Sequence, residues 1–318
     1  MPLAEKALIA RIRRQARGGA EVIAGIGDDC AVLRIPPGHE ALVTTDFTLE
    51  GIHFRREWHP PESVGYRCLA RGLSDIAAMG GDPVAAFLSL ALPRDLPQSW
   101  VDRFFGGLLK LAGAFRVSLA GGDTAESRDG ILADIVVLGS APKGKVILRS
   151  GARPGDGIYV SGELGGSAAA IWRMRAHPKR KLNPRDFPRH FFPQPRLELG
   201  RILREKGLAS AMIDISDGLS TDLGHICEES GVGAELQAEA VPVATVGKPA
   251  RKVAPHFALH GGEDYELLFT APRGVPARIA GVPITQIGHI TSGKQIFLMN
   301  QNGVGYKLVP RGWEHFTK

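Results

Sequence analysis

The hydrophobic pattern of the first half of the chain alternates between strand-like and helix-like segments. Residues Glu40 to Phe47 have a strand-like pattern that ends in polar residues, whereas Glu62 to Met79 carries apolar residues at helical spacing. The paired glycines 80 and 81 then stop this helix. The other elements predicted in this half are buried strands at residues 85–92 and 131–139 and an amphipathic helix at residues 100–115.

A segment rich in turn-forming residues, Ser150 to Gly157, is the predicted domain junction. The alternation resumes after it, with strands predicted at residues 157–161, 211–215, 264–270, 285–290, 294–299 and 305–309, and helices at residues 167–174, 195–205 and 217–230. The sequence therefore predicts two α/β domains of similar size, residues 1–148 and residues 149–318.

Composition places the chain among ordinary globular proteins. It has 318 residues, of which 44% are hydrophobic and 23% charged. The basic N-terminal stretch lacks the apolar core of a secretory signal, and no run of about 18 apolar residues predicts a membrane span. Three cysteines (Cys30, Cys68 and Cys227) lack metal-binding spacing and are expected to be reduced thiols. We expect a cytoplasmic protein.

The formal net charge of +6 arises largely from one segment, His177 to His190. A solvated loop stopped by prolines is the ordinary interpretation of such a charge run. No aromatic-interleaved RNA signature and no zinc-finger spacing accompany it, so nucleic acid is not an expected partner. The basic residues can equally offset an acidic site elsewhere.

Six short motifs join Asp or Glu to small residues, and several stand at the end of an apolar stretch. They are Gly25–Asp29, Thr44–Asp46, Leu73–Asp75, Gly121–Asp123, Ile213–Gly218 and Gly261–Asp264. Ligands of α/β proteins bind outside the carboxyl ends of the strands, where glycine lets backbone N–H groups approach phosphate. Any one of these motifs is ordinary turn chemistry, but the set indicates a site.

The aspartates of these motifs could share one cleft only if cations neutralised them, because like charges a few ångströms apart repel strongly. Magnesium prefers a few carboxylates together with substrate phosphates. The set therefore predicts several Mg²⁺ ions and a polyphosphate at the aspartates 28, 29, 46, 75, 123, 214 and 217.

The P-loop and protein-kinase motifs are absent from the sequence. The stretch Gly162 to Ser167 is similar to a glycine-rich loop that opens a helix, and we predict that it is a tight strand-to-helix turn.

Taken in order, the runs GIGDDCAVL, TTDFTLEGIHF, LSDIAAMGGDP, LAGGDT, ILRSGARPGD, AMIDISDGLSTDLGHI and GGEDYELLFT resemble the thiamine-monophosphate kinase family. The likeness is collinear from Gly25 to the C-terminal WEHF. This family belongs to the superfamily of aminoimidazole ribonucleotide synthetase, selenophosphate synthetase and a hydrogenase maturation factor. The resemblance implies an α/β fold of two domains, the N-terminal one pairing across a homodimer.

The resemblance also implies an activity, the ATP-dependent phosphorylation of thiamine monophosphate to thiamine diphosphate. It implies metal ligands at Asp29, Thr44, Thr45, Asp46, Asp75, Asp123, Asp214 and Asp217. It implies ATP contacts at Gly122, Asp123, Arg149 and Ser216, and thiamine-phosphate contacts at His53, Glu263 and Trp313. Either Glu263 or its neighbour Asp264 could instead cap the strand that follows.

The substrate phosphate is already anionic near neutral pH, so the reaction requires charge neutralisation and alignment and no side-chain base. We expect direct in-line transfer, with charge stabilised by Asp46, Asp123, Arg149 and Asp217. Two alternatives remain open: another ATP-dependent enzyme of the superfamily, and a non-catalytic dimer that binds nucleotide or metal. A selenophosphate synthetase is disfavoured because no cysteine precedes Asp28, and the hydrogenase maturation factor because the chain ends in His-Phe-Thr-Lys.

Overall fold

The computed structural model describes residues 1–16, 18–27, 29–313 and 316. The chain divides into two compact units. Unit 1 comprises Met1–Ile76 and Gly81–Gly144, and unit 2 comprises Ala77–Gly80 and Lys145–Lys318. Within the described residues, no helix combines the length and the apolar character needed to cross a membrane.

Unit 1 is a mixed sheet with helices. Its elements in chain order are α1 (Glu5–Gln15), β1 (Val22–Ala24), β2 (Val32–Leu33), β3 (His39–Leu49), α2 (Pro61–Ala78), β4 (Asp82–Pro93), α3 (Gln98–Phe115), β5 (Ser118–Ser127) and β6 (Leu132–Pro142). Four of the described strands form a sheet in the order β3-β6-β4-β5, in which only β4 and β5 run parallel. Strands β1 and β2 form a separate antiparallel pair.

The two faces of the β3–β6 pair differ because side chains alternate along a strand. Helix α2 lies over the face that carries Thr44 and Thr48. Asp75 of α2 accepts a hydrogen bond from Thr44. Cys68 of α2 lies beside Thr48, and burial raises the pKa of its thiol to about 12. The opposite face carries Val43 and Phe47, which are 66% and 54% exposed. The sheet therefore has one covered face and one exposed apolar region.

Unit 2 is built around a larger sheet. Its elements are β7 (Gly157–Ser161), α4 (Gly166–Ala176), α5 (Pro188–Phe191), α6 (Leu197–Glu205), β8 (Ala211–Asp214), α7 (Leu219–Ser230), β9 (Gly233–Gln237), β10 (Thr245–Val246), β11 (Arg251–Lys252), α8 (Pro255–His260), β12 (Leu267–Ala271), β13 (Arg278–Ile279), β14 (Val282–Thr291), β15 (Ile296–Met299) and β16 (Gly305–Lys307). In the described part of the chain, the sheet follows the order β16-β15-β9-β14-β7-β12-β8, and β13 pairs with β14. Helix α7 adds Leu219, Leu223 and Ile226 to its buried core.

The basic segment His177 to His190 is only partly the solvated loop that its charge predicts. Its first half is exposed, but Phe187 and His190 are buried. Arg189, within the same segment, forms an ion pair of 2.7 Å with the buried Glu266. Apolar and ionic contacts therefore hold the second half of this segment against unit 2, which a count of its charges does not reveal.

Candidate functional site

An acidic cluster forms in unit 1 where β3 passes under α2. Asp75 accepts a hydrogen bond from the Thr44 hydroxyl and also shares a hydrogen bond with Asp46. The pKa of Asp46 is raised to about 7, first because the carboxyl is buried and next because Asp75 lies beside it, while Arg71 acts in the opposite direction. This proximity follows from helical packing, since Asp75 lies on the face of α2 that covers the strand.

Asp134 on β6 was not predicted from the sequence, and it lies with Thr45 on the face of the sheet opposite to Asp46 and Asp75. The hydroxyl of Thr45, a predicted metal ligand, therefore does not face the acidic cluster. The Thr45 hydroxyl donates a hydrogen bond of 2.7 Å to the Asp134 carboxylate, and Asp134 contributes to the raised pKa of Asp46. Its signal was an acidic residue inside the apolar strand LADIVV, which could have been recognised as a polar position that needs a partner.

A second acidic group lies at the mouth of an apolar pocket in unit 1. The pocket has a volume of about 570 Å³, and Asp29, Gly122 and Asp123 are among its lining residues. Much of the remaining wall is apolar and includes Ile12 of α1 and Phe105 of α3. Neither residue had a sequence signal for this role, because apolar residues that line a pocket and those that fill a core look alike in sequence.

Strand register separates these two groups. Asp46 pairs with Ile135 on β6, which pairs with Leu88 on β4, which pairs with Gly122 on β5. Three strand spacings amount to about 14 Å. The acidic cluster and the mouth of the pocket therefore lie at the two ends of one row of paired residues that crosses the sheet of unit 1.

His53 follows β3 and has a defined ring orientation. Its Nδ1 accepts a hydrogen bond of 3.0 Å from the backbone N–H of Leu49. A neutral imidazole in that arrangement carries its proton on Nε2, so the ring presents a donor there. This is the polarity that contact with a phosphate oxygen requires.

The turn between β8 and α7 carries the acidic motif of unit 2. Asp214 is buried at the end of β8, and Ser216 and Asp217 follow it in a partly exposed turn. The backbone N–H groups of Asp217 and Gly218 both donate hydrogen bonds to the carboxylate of Asp222, at 3.2 and 2.9 Å. A buried carboxylate therefore fixes the shape of this turn.

Asp222 and His225 extend this motif, and neither was predicted from the sequence. Ligand atoms of Asp217, Asp222 and His225 all lie within 4.8 Å of one another. Burial, and then the charge of Asp217, raise the pKa of Asp222 to about 8, while Arg149 acts to lower it. Arg149 is thus placed near the Asp217 turn. An aspartate in the first turn of a predicted helix was the available signal, because such residues accept from free backbone N–H groups.

Glu263 and Asp264 have different roles in the structure. Asp264 is buried, and its carboxylate accepts hydrogen bonds from the backbone N–H groups of Gly165 and Ser167, at 2.6 and 3.3 Å. It therefore caps α4, and the prediction that residues 162–167 form a strand-to-helix turn is confirmed. Glu263 is partly exposed.

The strand that follows this pair begins later than predicted, at Leu267 and not at Asp264. The reason is local: Glu263 and Tyr265 both have left-handed backbone, with φ of 64° and 52°, which a strand cannot accommodate.

Unit 2 brings Ser216, Asp217, Glu263 and Trp313 together through its backbone. Glu263 N–H donates to the carbonyl of Ser216 at 2.7 Å, and Trp313 N–H donates to the carbonyl of Asp217 at 3.1 Å. Asp28 of the first motif, and Glu314 and His315 of the C-terminal WEHF, lie outside the described residues.

Both halves of the chain match family models. Residues 27–141 match the model described as AIR synthase related protein, N-terminal domain, and residues 153–299 match its C-terminal domain. The structure agrees: apart from residues 77–80, the first match falls within unit 1, and the second falls within unit 2.

Individual proteins are similar over almost the whole chain. The thiamine-monophosphate kinase of Escherichia coli strain K12 is 38% identical over 335 residues, covering 100% of this chain and 99% of its own. The crystal structure of thiamine-monophosphate kinase from Stenotrophomonas maltophilia K279a has a TM-score of 0.80 at 34% identity, covering 96% of this chain and 99% of its own. The structure of AaThiL complexed with AMPPCP and TMP has a TM-score of 0.77 at 33% identity, covering 99% of this chain and 97% of its own. The protein is therefore a kinase that belongs to the thiamine-monophosphate kinase family, with the two domains of AIR synthase related proteins.

Proposed function

We propose that the protein transfers the terminal phosphoryl group of ATP to thiamine monophosphate and so makes thiamine diphosphate. The observation that carries this proposal is the crowding of Asp46 against Asp75, in a chain that resembles these kinases from end to end. Buried carboxylates this close need a counter-charge, and a cation that also binds polyphosphate supplies it.

The apolar pocket of unit 1 suits the base of ATP. Its wall includes Ile12 and Phe105, and its mouth includes Gly122 and Asp123. An adenine ring bound against the apolar wall would direct its phosphates toward the mouth. A relative bound to AMPPCP, an ATP analogue, supports nucleotide binding by this fold.

The oxygen ligands of unit 1 fit magnesium. The acidic cluster offers the carboxylates of Asp46 and Asp75 with the hydroxyl of Thr44, all of them hard oxygen donors. Asp29 and Asp123 at the pocket mouth of unit 1, and Asp214 and Asp217 in unit 2, are the other carboxylates that we propose as metal ligands. When bound, Mg²⁺ neutralises phosphate charge and orients the reacting oxygens.

The reaction itself requires alignment of two anions. An oxygen of the thiamine monophosphate phosphate attacks the γ-phosphorus of ATP, a new P–O bond forms, and the bond from that phosphorus to the β,γ-bridging oxygen breaks, which releases ADP. Because the nucleophile is already anionic, we propose direct in-line transfer with no phosphoenzyme. His53 donates from Nε2 to the substrate phosphate, and Arg149 and Ser216 contact the ATP phosphates.

Glu263 and Trp313 would receive the thiamine part of the substrate. Its thiazolium ring is flat and cationic, and both an aromatic face and a carboxylate favour such a ring. Trp313 is 48% exposed, so its indole is accessible.

We further propose that residues 1–148 bind metal, bind nucleotide and pair with a second copy, whereas residues 149–318 complete the active site. The exposed apolar face of β3 and β6, with Val43, Phe47 and Leu132, supports the pairing. Phe47→Glu would then convert a dimer to a monomer in sedimentation analysis. An unchanged molecular mass would exclude this face as the interface.

The direct test incubates the purified protein with Mg-ATP and thiamine monophosphate and measures thiamine diphosphate by chromatography. Thiamine and aminoimidazole ribonucleotide precursors are the controls. We expect product only with thiamine monophosphate. ATP turnover that ignores thiamine monophosphate would indicate another activity of the superfamily, and nucleotide binding without turnover would indicate a non-catalytic protein.

A further inference from the structure

Two separate backbone segments are hydrogen-bonded to the turn formed by Ser216 and Asp217. One segment, Gly262-Glu263, donates the Glu263 N–H to the carbonyl of Ser216, and the other, Gly312-Trp313, donates the Trp313 N–H to the carbonyl of Asp217. Two consecutive carbonyl groups of one turn therefore position Glu263 and Trp313.

Both segments approach the turn so closely that only glycine fits. A Cβ atom on Gly262 would collide with the carbonyl oxygen of Ser216, and one on Gly312 would collide with the carbonyl oxygen of Asp217 and with the hydroxyl of Thr221. This contact brings backbone against backbone, so it fixes the distance of each segment from the turn.

Thr221 holds the C-terminal segment in place. It lies in the first turn of α7, and its hydroxyl oxygen accepts a hydrogen bond of 3.0 Å from the backbone N–H of Gly312. Residues 310–313 lie outside any helix or strand. A single helix thus supplies a side-chain acceptor for Gly312, one residue before Trp313.

We infer that Thr221 is a positioning residue that, through Gly312, holds Trp313 beside Glu263 and Asp217, where a flat cationic heterocycle binds between the indole and the carboxylate. This inference rests on the proposed function for the identity of the heterocycle. Thr221 itself touches no substrate. Its hydroxyl acts only by fixing the position of the C-terminal segment.

The test compares Thr221→Val, which keeps the shape and removes the acceptor, with Thr221→Ser, which keeps the hydroxyl. Thr245→Val, an exposed threonine of β10, is the matched control. We expect Thr221→Val to raise KM for thiamine monophosphate about fivefold, the effect of losing one hydrogen bond, with kcat and KM for ATP unchanged. Thr221→Ser should restore the wild-type KM. Equal KM values in Thr221→Val and the control would overturn the inference.

A second readout requires no substrate. Acrylamide quenching of the Trp313 fluorescence, obtained by subtracting the signal of Trp313→Phe, should increase in Thr221→Val and stay at the wild-type level in Thr221→Ser. If Thr221→Val does not fold, Gly312→Ala provides the same comparison, because its methyl group displaces the segment. Unchanged quenching in a folded variant would refute the positioning role. If the variants show this quenching pattern but the wild-type protein does not phosphorylate thiamine monophosphate, the proposed function alone is refuted.

Discussion

At the scale of single residues, Asp46 is an example of a carboxyl whose environment in the fold suits it to binding a ligand. Its carboxyl is partly buried against Asp75, and both effects raise its pKa to about 7. A group of this kind is costly to ionise unless a cation or a proton balances it. The crowding of Asp46 and Asp75 is therefore better suited to binding a cation than to stabilising the fold.

Asp46→Asn should abolish activity and leave the protein folded. The substitution removes a charge that the fold does not need, so the melting temperature should be unchanged or higher, while kcat should fall by about a hundredfold or more. Thiamine diphosphate formation and differential scanning fluorimetry measure the two effects. Asp129→Asn, at an exposed position of unit 1, is the control. Unfolding, or full activity, would show that Asp46 is a structural residue.

The neighbours Glu263 and Asp264 should respond to substitution in opposite ways. Asp264→Ala leaves two backbone N–H groups of the α4 N-terminus without their acceptor, so we expect a loss of about 1–3 kcal/mol in the free energy of unfolding. Glu263→Gln should leave stability unchanged and raise KM for thiamine monophosphate. Urea denaturation and steady-state kinetics distinguish the two. The reverse pattern would mean that Asp264 is the residue that contacts substrate.

At the scale of secondary-structure elements, helices α2 and α3 touch through their backbones. A Cβ atom on Gly107 of α3 would collide with the carbonyl of Glu62 in α2, whereas one on Gly106 would meet nothing within 4 Å. Two adjacent glycines in one helix therefore have opposite environments. One permits close packing of the helices, and the other only weakens its helix.

Alanine at these two positions should separate packing from helix propensity. Gly107→Ala should lower the free energy of unfolding by about 2 kcal/mol or more, because the methyl group forces the helices apart. Gly106→Ala should raise it by about 0.5–1 kcal/mol. Urea unfolding of each variant measures both changes. Similar effects at the two positions would show that α2 and α3 do not pack in this way.

Hydrophobic periodicity was sufficient for most elements, and its failures have physical reasons. The strand at residues 157–161 was predicted with its observed ends, and α2 and α3 within about two residues. Strand β5 was not predicted, because its Gly121, Gly122 and Asp123 look like a turn. Helix α1 was missed as well, since it buries only Leu8 and Ile12 and otherwise appears as a basic stretch.

The residues of the candidate site were likewise only partly predictable from the sequence. Acidic motifs that end strands could be identified in the sequence, because glycine and carboxylate occur together there. Asp134 and Asp222 had only weak signals, since the importance of such a residue depends on which groups lie opposite it, and only the fold determines that. The meeting of the aspartates of the two units around polyphosphate stays a prediction.

At the scale of the whole molecule, each unit contains buried carboxyls whose protonation is coupled to folding. The pKa is raised to about 7 for Asp46, about 8 for Asp222 and about 7 for Asp264, in each case chiefly by burial. His260 has the opposite effect on the pH dependence of stability, because burial lowers its pKa. Three of these four groups are therefore acidic groups that prefer to be protonated in the folded protein.

Stability of the metal-free protein should therefore fall as pH rises from about 5 to about 8. Below the unfolded pKa of about 3.8 both states hold these protons, so the favourable contribution is fully present. As pH rises toward the folded pKa values, the unfolded state has already released its protons, and stability is lost by about 1.4 kcal/mol per pH unit for each such proton. Differential scanning fluorimetry in the presence of a chelator measures the decline.

Magnesium should reverse this decline, since it binds the ionised carboxylates of the folded state. We expect Mg²⁺ to raise the melting temperature by several degrees at pH 8 and by much less at pH 5.5, where protons compete with it. The difference between wild type and Asp46→Asn isolates one carboxyl, because the amide does not titrate: the wild type should lose stability relative to the variant as pH rises, and should gain more from Mg²⁺. A Mg²⁺ effect that is equal at both pH values, or equal in the two proteins, would contradict a metal site at Asp46.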